Sequence, residues 1–72
     1  MKNDLFLAKM LSREMVLGNI VDRIEKMYKN NDKIQKIIND ITNEYKSNKN
    51  YDLSDAFINI IYHVFIQLER EM

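Results

Sequence analysis

Apolar positions along this chain recur at helical intervals in three blocks, separated by two polar stretches rich in asparagine and lysine. In the first block, Phe6, Met10, Arg13, Leu17, Ile20, Ile24 and Met27 keep the alternating four-and-three spacing of a helix seam, and Val21 and Tyr28 widen the stripe. The spacing predicts a helix over about residues 4–29, with Asn3 or Asp4 as its N-cap and Asn30-Asn31 as its stop. From Asp22 onward the face opposite the seam is charged. The first half differs, because Leu5, Leu11, Met15 and Val16 point away from the seam at about 100° per residue. Either the helix breaks near Ser12, giving four helices in all, or its N-terminal half is covered on more than one side.

The second block is simpler. Ile34, Ile37, Ile38, Ile41 and Tyr45 form one narrow stripe, predicting a helix over about residues 33–46, with Asp32 as cap and Gln35 placed three residues on as in a capping box. Residues 46–50 read as a loop. A third helix over about residues 55–70 follows, with Ser54 as cap and Leu53 and Ile58 spaced as a hydrophobic staple. On its wheel Asp55, Asn59, His63, Gln67 and Arg70 make one polar strip, and apolar side chains fill an arc of roughly 200°. A surface helix of a monomer needs only about 100–140°. The pattern therefore specifies an all-α three-helix bundle with more apolar surface than it can cover alone. The expected remedy is a homodimeric helical bundle or a protein partner, using Leu5, Leu11, Met15 and Val16 of the first helix and Phe57, Ile61, Phe65 and Leu68 of the third.

Length sharpens this expectation. A chain of 72 residues and 8.7 kDa is one small domain. Size scaling gives a folded monomer about 4,700 Å² of accessible surface and has folding bury only ~62% of what the unfolded chain exposes. The chain has no Cys, so neither disulfides nor thiolate metal sites add stability. With no Pro, one Gly and one His it also lacks the materials of phosphate loops and most catalytic sites. The apolar run Leu5-Phe6-Leu7-Ala8 is cut by Lys9 and Arg13, and the stretch from Ala56 to Leu68 falls short of the ~20 residues that span a bilayer, so a cytoplasmic protein without a membrane segment is expected.

Eleven basic residues balance eleven acidic ones, which removes any overall electrostatic pull toward nucleic acid or an anionic membrane. Locally the balance shifts: residues 26–49 hold six Lys against three acids, and residues 50–72 hold four acids against Arg70 alone. The basic middle supports an alternative function, a small nucleic-acid-binding regulator using Lys29, Lys33, Lys36, Lys46 and Lys49, with Tyr45 and Tyr51 as stacking platforms. Against it stand the zero net charge, the scarcity of Arg and a connection from Ser47 to Leu53 without the short Gly-containing turn of a helix-turn-helix.

The materials for catalysis are thin. His63 is the sole imidazole, and its i−4 and i+4 neighbours, Asn59 and Gln67, are poor metal ligands. Ser12 and Ser54 would become nucleophiles only if the fold brought them to His63, and no E-x-x-H pair exists for a carboxylate metal site. No catalytic residue, metal site or cofactor is expected. Arg13 occupies a seam position; it is either buried against a carboxylate or reaches water from the seam's edge. Met10, Met15 and Met27 are either gap fillers in a small core or part of an adaptable docking groove. The expected function is that of a non-enzymatic helical interaction module, acting as a small regulator or as an inhibitor or immunity-type partner.

Overall fold

The computed structural model describes the backbone from Lys2 to Met72 and the side chains from Arg13 onward. Three helices follow one another, α1 (Lys2–Met27), α2 (Asp32–Ser47) and α3 (Leu53–Glu71), with no strand among the described residues. Helix α1 is unbroken, so the alternative of a fourth helix created by a break near Ser12 does not apply.

Helix α1 runs from Lys2, ahead of the expected caps Asn3 and Asp4, to Met27, and the starts of α2 and α3 move for a reason visible in the backbone hydrogen bonds. The ladder of α2 starts when Gln35 N donates to Asn31 O at 3.0 Å, which makes Asn31 the N-cap in place of Asp32. Its Oδ1 accepts from Ile34 N at 3.2 Å, and Asp32 becomes a first-turn acid facing the positive end of the helix dipole. Gln35 is therefore no longer in the capping-box position. Its Nε2 instead donates to Glu25 O at 3.2 Å, a carbonyl that the end of α1 leaves open, and to Tyr28 O at 3.1 Å, which also accepts from Asn31 N at 2.9 Å. In α3 the first helical bond runs from Ala56 N to Asp52 O at 3.0 Å, so the cap is Asp52 rather than Ser54, and Leu53 is the first helical residue.

The buried core is Val21 from α1, Ile34, Ile38 and Ile41 from α2, and Ala56, Ile60 and Val64 from α3. Ile34 and Val64 are the largest side chains fully removed from water. Helix α3 is thus the central element, packed on both neighbours, while α1 and α2 touch each other far less. Two contacts fix the levels. Gly18 of α1 lies against the ring of Phe57, where an added Cβ would meet Cε2 at 3.4 Å. At the far end, Asn31 binds Glu71. The helices therefore run up, down and up, with α1 and α3 parallel.

Rotation of α1 corrects the expected seam. Its core-facing stripe is Val21, Ile24 and Tyr28, with Leu17 half-buried on the same line, whereas Ile20 and Met27 are 39% and 72% exposed. At about 100° per residue, Ile20 and Met27 lie within roughly 40° of Val16, so the three share one outward strip. Arg13, also expected on that seam, is exposed. The molecule is elongated, 47 × 24 × 17 Å, with a radius of gyration of 13.9 Å against about 11 Å for a compact chain of this length.

Candidate functional site

The eight residues expected at an interface separate into distinct groups. Phe57, Ile61 and Leu68 are half-buried and packed against the core, so part of their surface is already used by the fold. Met15, Val16 and Phe65 stand in solvent at 68%, 56% and 60% exposure. Leu5 and Leu11 fall within α1 but outside the described side chains. Two residues not expected at the interface join the exposed set on α3: Tyr62 at 60%, and Ile58 at 37%, whose expected staple with Leu53 lapses because the cap is Asp52 and Leu53 is itself helical. The signal that could have selected them was their spacing: Ile58, Tyr62 and Phe65 sit at i, i+4 and i+7, on one line about two turns long.

This line runs beside the flank of α3 that meets α1. Val64 and Phe57 point inward, the latter against Gly18. A step of ~100° around the helix from Val64 brings Phe65 into water. Asp55 lies one turn before the strip and Glu69 one turn after it, and both are exposed. No charged residue interrupts the line between them.

The lysines do not form one surface. Lys29 and Lys33 flank the turn between α1 and α2, where with Lys26 they line an open depression that also holds Asp32 and Glu71. Lys46 and Lys49 lie at the other end of α2, about 20 Å away along its axis. Lys36 stands exposed between these groups. Tyr45 and Tyr51, the expected stacking platforms, are half-buried against the core and meet edge to face with centroids 6.4 Å apart. Their faces are partly spent on each other.

His63 is exposed on α3, its ring edge-on to Tyr62 at 5.4 Å. It borders a shallow groove of about 600 Å³ between α2 and α3, floored by Ile37, Ile41 and Ile66 and rimmed by Asp40 and Arg70. Asn59, one turn before it, donates to the Tyr51 hydroxyl, and Gln67, one turn after it, donates to Glu71 Oε1 at 3.3 Å. Ser54 lies on the same helix nine residues earlier, about 13 Å along the axis, out of hydrogen-bond reach of the imidazole. Ser47 Oγ is occupied in donating to Glu44 O at 3.2 Å. Among the described residues no group of three or more His, Asp or Glu is arranged to hold a metal ion, and no helix is long and apolar enough to cross a membrane. Comparison with known families, curated proteins and solved structures gave no match to this chain.

Proposed function

We propose that this chain is a non-enzymatic helical interaction module of the cytoplasm, a small regulator or an inhibitor or immunity-type partner that docks apolar helix faces onto protein. One observation carries the reading: Met15, Val16, Met27, Tyr62 and Phe65 each keep more than half of their surface in water on a chain of 72 residues. Scattered single exposed hydrophobics are ordinary, but aligned ones amount to an apolar patch of the kind that marks contact sites. Aromatic anchors such as Phe65 and Tyr62 supply most of the energy of such contacts, and the flanking charges set orientation. Self-association belongs to the same reading. The nucleic-acid alternative is disfavoured by the separation of Lys29 and Lys33 from Lys46 and Lys49.

Affinity capture from the native lysate tests it, using the intact chain beside Phe65→Lys and Val16→Lys. A protein retained by the intact chain and lost from a variant that is still helical is the expected result. Equal retention by all three, or retention of nucleic acid alone, overturns the reading.

A further inference from the structure

We propose that the groove between α1 and α3, on the side of that pair away from α2, seats one amphipathic helix of a partner protein, with acids along one flank of its apolar stripe and lysine or arginine along the other. The inference rests on the interaction-module reading and states the chemistry of the partner. It starts from where the two exposed strips fall. Followed round the helix at about 100° per residue, α3 turns His63, Gln67 and Arg70 to the groove it shares with α2, then Phe57 to α1, and then Phe65, Ile58 and Tyr62 to water. On α1 the order is the reverse. Val16, Met27 and Ile20 come first, then Ile24, Tyr28 and Val21 in the core, and then Glu25 and Lys29, which border Gln35 of α2.

Because α1 and α3 run parallel and both are right-handed, opposite orders bring the two strips to one side of the pair and leave α2 on the other. Their levels agree as well. Gly18 lies beside Phe57, so residues 58–65 of α3 run alongside about residues 19–26 of α1. The half-buried Ile24 and Ile61 lie between the strips and floor the groove. The far side of the pair shows what such a surface takes, since α2 is seated there through its stripe of Ile34, Ile38 and Ile41. An apolar stripe laid into a groove between two helices is a common mode of helix recognition.

Charge decides which helix fits. On the α1 lip Arg13 and Arg23 are both exposed. Among the described residues of α1 no carboxylate shares that lip: Glu14, Asp22 and Glu25 lie more than about 90° away round the helix, and Asp22 is paired with Lys26 at 3.0 Å. The α3 lip carries exposed Asp55 and Glu69 and no cation, because Arg70 is turned to the groove with α2. Lips of opposite sign across an apolar floor select a helix whose flanks are opposite in turn, acids against Arg13 and Arg23 and cations against Asp55 and Glu69. A nucleic acid would meet the acidic lip and be repelled there.

Three labelled helical peptides of about five turns test this, sharing one leucine stripe and differing only in their flanks: glutamate on one and lysine on the other, glutamate on both, or lysine on both. Fluorescence anisotropy with the full chain should show the mixed peptide binding one to one, about fivefold tighter than either of the others. Val16→Lys on α1 and Phe65→Lys on α3 should each weaken it about tenfold or more while circular dichroism stays helical, because both side chains are exposed in the folded chain. Arg23→Glu should turn the preference toward the peptide with lysine on both flanks, and Arg70→Glu should change nothing.

Failure of the mixed peptide to bind, or its loss through only one of Val16→Lys and Phe65→Lys, overturns the groove. Equal binding of all three peptides overturns the charged lips. A chain that dimerises through Phe65 in light scattering without peptide overturns the helix partner in favour of a second copy. The two readings fail separately: if no peptide binds but capture from the native lysate still loses a protein in Phe65→Lys, the interaction-module reading stands; if capture retains none, both fail.

Discussion

The side-chain amide of Asn31 donates to both carboxylate oxygens of Glu71, at 3.1 Å each, across a separation of 40 residues. The same side chain accepts from Ile34 N, so one residue caps α2 and ties the end of α3 to the turn that joins α1 and α2. Loss of an N-cap costs about 0.5–2 kcal/mol, and the exposed bond to Glu71 adds less.

Asn31→Ala should therefore lower stability by about 1–2 kcal/mol, a fall of roughly 4–8 °C in Tm per kcal/mol for a domain of this size. Asn31→Ser separates the two roles, because serine caps a helix but cannot reach as far as the amide. Urea unfolding should recover most of the loss in Asn31→Ser; equal losses in both variants would assign the larger role to the bond with Glu71.

Gly18 permits a prediction of sign. Glycine inside a helix costs about 0.8–1.0 kcal/mol relative to alanine. The added Cβ would stand 3.4 and 3.5 Å from the Phe57 ring, ordinary contact with a side chain that is only half-buried. Gly18→Ala should stabilise the chain by about 0.5–1 kcal/mol. Gly18→Leu drives a branched side chain into the same ring and should destabilise it by about 1–3 kcal/mol. Thermal melts of the two variants moving in the same direction would contradict this placement of α1 against α3.

How much of this was legible in the sequence depended on how narrow each apolar stripe was. In α2 five apolar residues leave one solution, and Ile34, Ile38 and Ile41 are indeed the buried face. In α1 two stripes about 100° apart compete, and periodicity cannot choose between Leu17-Val21-Ile24-Tyr28 and Val16-Ile20-Met27. The choice is tertiary: the bare backbone at Gly18 admits Phe57 and rotates the other stripe outward. Gln35 was misplaced for a related reason. Its capping-box spacing was counted from Asp32, but the chain begins α2 one residue earlier, and the released amide finds the carbonyls of α1. The separation of the lysines, in contrast, follows from helix length alone once the boundaries of α2 are known.

Gln35 accordingly yields its own test. Gln35→Ala removes the donor to Glu25 O and one of the two donors to Tyr28 O, which keeps the bond from Asn31 N, and should cost about 0.5–1.5 kcal/mol. Gln35→Glu, which keeps the size but turns the group into an acceptor, should cost as much or more. A neutral Gln35→Glu by chemical denaturation would place the stabilisation in packing instead of hydrogen bonding.

The core and the strip should respond differently to truncation. Ile34 is 0% exposed, so Ile34→Ala leaves a cavity and should cost about 2–5 kcal/mol, most of the stability available to a domain of this length. Tyr62→Ala removes an exposed ring and should leave the stability of the chain within about 0.5 kcal/mol while weakening the docked helix. These effects are separable by melting each variant with and without the peptide of mixed flanks, since a ligand that binds only the folded chain raises its Tm. A Tyr62→Ala melt raised by the peptide as far as the parent's would remove Tyr62 from the interface.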